Sequence, residues 1–288
     1  MLKKRIAATL VIKNNIVVQS KRFSHYLPVG KPAIAVEFLD EWGIDEIILL
    51  DIEASTRGDG PDLKMIKEVS KHCRVPLTVG GGITTIDHIS QLMHCGADKV
   101  AVNQAAIFQP RLIMEAAQVF GAQCVVASID AVKSGGTYVA YDYLRKMALP
   151  TSVAELASHL EQIGAGEIFI NSVDRDGTGI GFDLELISSV CNAVRVPVIC
   201  CGGAGSPKHL IEALVFSGVS AVSAGNFYHF TEHSVTIAKS IVSQQVPIRH
   251  ETYVDYSRNT FDGAGRILKR EESELNKLLY QRIEIESI

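Results

Sequence analysis

The chain has 288 residues, of which 47% are hydrophobic, with six cysteines and a formal net charge of -4. That is apolar side chain enough for one large α/β core, and the slightly acidic balance argues against nucleic acid as the main partner. No apolar run is long enough to span a bilayer, and the basic start MLKKRIAATLVIKNN lacks the length and cleavage pattern of a signal peptide, so a cytoplasmic protein is expected.

Short β-branched runs alternate along the chain with amphipathic stretches. The first run, 6–12, is followed by a helical pattern at 31–42. Runs at 46–51, 76–80 and 99–103 follow, with helical patterns at 62–73, 84–95 and 109–120. The second half repeats the scheme, with runs at 124–130, 167–171, 197–201 and 221–225 and helical patterns at 151–163, 183–194, 206–217 and 232–244. Continuously apolar strands alternating with helices predict a parallel sheet covered on its outer face. Eight such units favour a closed (β/α)8 TIM barrel over residues 1–249. The remaining 250–288 forms a C-terminal extension, with an amphipathic helix expected over 268–286. The six cysteines form no C-x-x-C and read as reduced, buried thiols.

The two halves resemble each other. VPLTVGGGI (75–83) pairs with VPVICCGGA (196–204), and CGADKVAVN (95–103) with SGVSAVSAG (217–225). A half-barrel duplication would place two similar loop sites on one face. Glycines at a strand-to-helix turn let backbone N–H groups approach a phosphate, and a barrel usually binds phosphate after its seventh and eighth strands. Those positions are Gly202, Gly203, Ala224 and Gly225, and the repeat supplies Gly81, Gly82, Asn103 and Gln104. A ligand with a phosphate at each end is the reading. Between them, Asp176 and Gly177 follow the sixth strand, either as site residues or as part of a capped loop that ends at Asp183. Asp130 ends the fifth strand, a catalytic position in such a barrel. Asp51 ends the second and could support it. The end of the first strand carries Val11, which can neither give nor take a proton. No His-Cys or paired-His cluster lies at these ends, so neither a metal nor a cofactor is expected.

The motifs LLDIEAS, PLTVGGGI, GADKVAVN, FGAQCVVASIDA, GAGEIFINSVDRDGTGIGFDLEL and PVICCGGAG, in this order, resemble the cyclase subunit of imidazole glycerol phosphate synthase over about residues 1–249. The resemblance implies a half-barrel-duplicated (β/α)8 fold and a bisphosphate bound across the active face. It also implies ammonia passing through the barrel from a separate glutaminase docked on the opposite face. One family acid/base aspartate matches Asp130, but the other falls at Val11. The family's loop lysine falls at Gln19, a threonine at Asn171 and a phosphate-site serine at Gly225. The family's ring of charges at the ammonia entrance matches Arg5, Glu46, Lys99 and Glu167, and a glutaminase contact matches Asp98.

Retained entrance and altered chemistry together resemble a paralogous branch associated with surface polysaccharide. There the barrel would work with a glutaminase and a third protein, a sugar amidotransferase, to make acetamidino groups. The substrate would be a phosphorylated small molecule or nucleotide-sugar. The alternatives are a true cyclase of histidine biosynthesis and a catalytically silent scaffold.

Overall fold

The computed structural model describes residues 3–216, 218–249, 260–263, 265–268 and 273. Apart from Leu268 and Ser273, the helix expected over 268–286 lies outside the described residues. The first half of the chain holds β1 (Arg5–Lys13), β2 (Ile16–Lys21), β3 (His25–Gly30), α1 (Pro32–Glu41), β4 (Glu46–Asp51), α2 (Ala54–Arg57), α3 (Leu63–Ser70), β5 (Leu77–Gly80), α4 (Ile86–His94), β6 (Lys99–Val102), α5 (Gln104–Phe108) and α6 (Arg111–Phe120). The second holds β7 (Val125–Ser134), β8 (Thr137–Asp142), β9 (Met147–Ser152), α7 (Val153–Gln162), β10 (Glu167–Ser172), α8 (Leu184–Ala193), β11 (Val198–Cys201), α9 (Pro207–Val215), β12 (Ala221–Ala224) and α10 (Ser234–Val242).

Eight strands pair in parallel in the order β1, β4, β5, β6, β7, β10, β11, β12. The last returns to the first, from Arg5 opposite Ala221 to Ala8 opposite Ala224. The sheet is thereby closed and these strands have no free edge. The period-two rule explains why they are apolar on both faces. On β1, Ile6, Ala8, Leu10 and Ile12 point outward into the core shared with the helices. Ala7 points inward, into a smaller cluster with Ile48, Ala101, Val126, Phe169, Ile199 and Ala221 that fills the barrel. Of the six cysteines only Cys200 is fully buried, and the other five are partly exposed, a correction to the expectation that all are sealed in the core. All six are free thiols.

Helix starts follow local chemistry. Asp62, Thr85, Ser152 and Asp183 each accept a hydrogen bond from the backbone N–H three residues on, so the Asp183 end of the 171–183 loop is a helix cap. Pro207 opens α9 after Ser206.

The structure adds four strands where the sequence suggests only loops. β1 runs into β2 and β3, and β7 runs into β8 and β9, all antiparallel. Both extensions begin with a two-residue turn at positive φ: Asn14 and Asn15 (51° and 58°), and Gly135 and Gly136 (57° and 86°). Positive φ at both central residues marks the type I′ turn, whose twist matches that of a hairpin. The matching extends to a brace at the other end of the barrel. Asp40 accepts from the N–H groups of Arg74 and Val75 before β5, and Glu161 accepts from those of Arg195 and Val196 before β11.

Candidate active site

A cavity of about 970 Å³ opens at the C-terminal ends of the barrel strands. Its wall brings together all the positions singled out for that face: Gly81 and Gly82, Asn103 and Gln104, Gly202 and Gly203, Ala224 and Gly225, with Asp176 and Gly177. Val11, Asp51, Asp130 and Asn171 line it too. Gln19 does not, being paired with Leu27 in the first hairpin.

The glycines are required by backbone geometry. Gly81 has φ 119°, and a Cβ there would lie 2.3 Å from the Asp51 carbonyl oxygen. At Gly203, which matches Gly82 in the repeat, φ is 104° and the Gly181 carbonyl oxygen would be 2.2 Å away. The backbone N–H groups of Gly81, Gly82 and Gly203 make no hydrogen bond within the described residues. Unfilled donors on a cavity wall suit an anion. Gly203→Ala is expected to destabilise the protein by about 1–3 kcal/mol, since it adds a methyl group at a left-handed φ against a fixed carbonyl. The check is the thermal midpoint, which an unchanged value would contradict.

Asp130 is buried at the cavity floor, 7% exposed. Its carboxylate accepts from Asn103 Nδ2 at 3.0 Å and from Asn171 Nδ2 at 3.3 Å. Burial raises its pKa to about 7, against the lowering effect of these two amides, and Asp176 raises it further. A carboxyl titrating near neutrality can take and return a proton at working pH. Both amides leave their oxygen, Asn103 Oδ1 and Asn171 Oδ1, buried without a partner.

Asp176 has a second task. Ser20 Oγ donates to its carboxylate at 2.6 Å, and the Phe23 N–H at 3.3 Å. The Asn226 side chain accepts from Ser20 N at 3.1 Å and donates to Ser20 O at 2.6 Å. These bonds hold the first hairpin against the loops after β10 and β12. The second hairpin is held in the same manner against the segments after β6 and β4. Gln104 Nε2 donates to Asp142 at 3.2 Å, and Tyr143 Oη donates to Ser55 Oγ at 2.9 Å. The hairpins bring residues to the cavity that the sequence reading misses, among them Phe23, Tyr26, Tyr141, Tyr143 and Lys146. The Asn-Asn and Gly-Gly pairs between alternating residues are the signals that could have exposed them.

The opposite end of the barrel carries the predicted charges as a closed ring. Arg5 pairs with Glu46 and Glu167. Lys99 pairs with the same two carboxylates at 2.9 and 2.8 Å. Thr78 Oγ1 donates to Glu46 at 3.0 Å. Above the ring lie the apolar interior residues and then a hydrogen-bonded Thr9–Ser223 pair, 2.6 Å apart, below the cavity. Asp98 sits on the ring's side of the barrel, exposed, with one oxygen accepting from Leu77 N at 2.8 Å. Among the described residues, no group of three metal-ligating side chains comes together, and no helix is long and apolar enough to cross a membrane.

A closed eight-stranded barrel with its cavity at the strand C-termini, ringed by glycine loops, has the site address of the (β/α)8 enzymes. Within that class the sequence decides further: residues 5–234 match the profile described as Histidine biosynthesis protein, and the chain belongs to that family. A protein of Vibrio vulnificus (strain YJ016) is 42% identical over 267 residues, covering 92% of this chain and 98% of that protein. It carries the provisional name imidazole glycerol phosphate synthase subunit hisF2.

Proposed function

We propose that this chain is the ammonia-receiving, cyclase-like barrel subunit of a glutamine-dependent amidotransferase system. A separate glutaminase docks on the ring face near Asp98 and releases ammonia below Arg5, Glu46, Lys99 and Glu167. A phosphorylated substrate lies across the cavity, one end on Gly81, Gly82, Asn103 and Gln104, the other on Gly177, Gly202, Gly203, Ala224 and Gly225. Asp130 moves the proton. The observation that carries this reading is the first barrel strand: Arg5 joins the charged ring at one end, while Val11 lines the cavity at the other. An intact entrance below a changed acid/base position fits the use of ammonia for a different product. The product favoured here is the acetamidino group of a surface-polysaccharide sugar, with a third protein, a sugar amidotransferase, taking part. The barrel proper is residues 1–249, built by duplication of a half-barrel, and 250–288 is an extension.

The test is amide-labelled glutamine supplied to the barrel with its glutaminase in an extract of the native host. Label reaching the amidino nitrogen of the polysaccharide sugar is the expected result. Its absence there, with no glutaminase bound to the barrel, would sink the reading. A second reading, a cyclase of histidine biosynthesis, is favoured by the name of the Vibrio relative. Turnover of the bisphosphate aminoimidazole precursor with ammonium salt at ordinary enzymatic rates would establish that reading instead.

A further inference from the structure

With Val11 inert, the reaction needs another polar group to face the charge that Asp130 helps to create. The candidates on the cavity wall can be taken in turn. Asp51 is held by Arg57 at 2.6 Å and by the N–H groups of Glu53 and Ala54. Glu53 is held by Lys13 at 2.8 Å and by Asn14 N at 2.7 Å. Asp176 fastens the first hairpin. Burial pushes the Cys201 thiol up to about 12, and it leans on Thr9. Among the tyrosines, Tyr26 Oη donates to the Phe23 carbonyl at 2.9 Å and Tyr143 Oη to Ser55.

Tyr141 differs from all of these. It lines the cavity, yet its hydroxyl has no hydrogen-bond partner among the described residues and is not sealed from solvent. On β8 it stands between Ala140 and Asp142, both fully buried, so the strand's alternation turns its ring to the other side. The edge of Phe23, centroid to centroid 6.3 Å at 67°, steadies that ring across the two hairpins. Burial raises its pKa, and the Asp130 and Asp142 charges add to this, so the phenol keeps its proton at neutral pH.

We propose that Tyr141 is the second catalytic group of the cavity, a hydrogen-bond donor to the substrate oxygen that gains negative charge when ammonia adds. The proposal rests on the function argued above. Ammonia forms a C–N bond to a carbonyl-type carbon of the phosphorylated substrate. The C=O π pair moves onto oxygen, where the Tyr141 hydroxyl supports it, and the new nitrogen releases a proton to the Asp130 carboxylate. Asp130 then returns that proton to the oxygen. The net change of this step is an N–H bond added across C=O, with Tyr141 and Asp130 both restored and no further reactant consumed. Departure of that oxygen as water, with a second proton from nitrogen, then leaves the C=N bond of the amidino group. A donor aimed at developing charge contributes to the barrier without itself transferring a proton, so it can serve where Val11 leaves no acid.

The experiment uses the native host deleted for this gene and complemented with the full-length protein or its variants. It reads nitrogen-15 from amide-labelled glutamine in hydrolysed surface polysaccharide. Tyr141→Phe is expected to lower the rate of incorporation by about 100-fold or more, the usual loss for one such donor. The purified variant should still co-elute with the glutaminase and melt at the wild-type temperature, since the ring and its packing are kept. Wild-type incorporation with Tyr141→Phe, in a host where Asp130→Asn abolishes incorporation, would overturn the role of Tyr141 alone. Loss with Lys146→Met and retention with Tyr141→Phe would overturn it in favour of Lys146, another group on the wall with no side-chain partner among the described residues. Wild-type incorporation with Asp130→Asn would place the chemistry in another protein and overturn the function and this inference together.

Discussion

Asp130→Asn is expected to raise the melting temperature at pH 8 and to leave it almost unchanged at pH 4. The folded protein holds the Asp130 proton up to about pH 7, against an ordinary value of 3.8. Between these limits the unfolded chain has released its proton while the folded chain retains it. Stability from this group is therefore fully present below about pH 4, falls as pH rises to about 7, and stays low above. At about 1.4 kcal/mol per pH unit, roughly three units bound the loss near 4 kcal/mol. An asparagine has no charge to bury. Within that bound, a gain of about 3 kcal/mol at pH 8 corresponds to about 6–12 °C in a domain of this size. Thermal melts of the two proteins from pH 4 to 8 are the measurement. A difference that does not grow with pH would mean that Asp130 ionises normally in the fold. The same substitution removes the proton carrier of the proposed reaction, so a gain in stability with a loss of nitrogen transfer would show a site kept at a cost to the fold.

Glu46→Gln is expected to act in the opposite direction, lowering stability by about 3 kcal/mol, or about 6–12 °C. Glu46 is 1% exposed and bonds to Arg5, Lys99 and Thr78. In the wild-type ring two cations share two carboxylates. Removing one carboxylate leaves two half-buried cations competing for Glu167, and the desolvation of the unmatched charge is no longer offset. The double variant Glu46→Gln with Lys99→Met removes one charge of each sign. Part of the loss should return, because ring neighbours are coupled rather than additive. A change of less than about a degree in the single variant would show that water reaches the ring and screens it. The pair of variants also separates the two possible roles of these charges. If the ring only closes the barrel floor, the double variant recovers nitrogen transfer with its stability. If the ring meters ammonia, transfer stays altered after stability returns.

The eight barrel strands and their principal helices are legible in the sequence because each strand is buried on both faces. Local composition then mirrors tertiary environment: IAATLVI, EIILLD and EIFIN leave few alternatives to a covered parallel strand. The glycine loops are legible too, since φ near 100° excludes most other residues at Gly81 and Gly203. The hairpins are not. HYLPVG in β3 and MALPTS in β9 are mostly exposed and carry a proline, so no hydrophobic period marks them. Their strand character comes from pairing with β2 and β8, which composition does not record. Asp176 reads as a site residue or a turn residue with equal ease, and only the contact with Ser20 and Phe23 reveals that it fastens a hairpin.

By itself the sequence determined the closed barrel and the paired glycine loops, while the four charges at the strand starts were singled out by its resemblance to a known family. The barrel strands and glycine loops are properties of single positions or short periods, and burial or backbone conformation fixes the residue type at each. The tertiary structure decided what lies between them. Neutral-range titration of Asp130 arises from burial, with the Asp176 charge adding to it, against the opposing amides of Asn171 and Asn103 from the ends of two other strands. Closure of the charge ring depends on four strands meeting. Tyr141 reaches the cavity only because β8 folds back over the top of β7 and Phe23 packs against it from the other hairpin. Each of these is a relation among residues far apart in the chain, and such relations exist only once the barrel has closed.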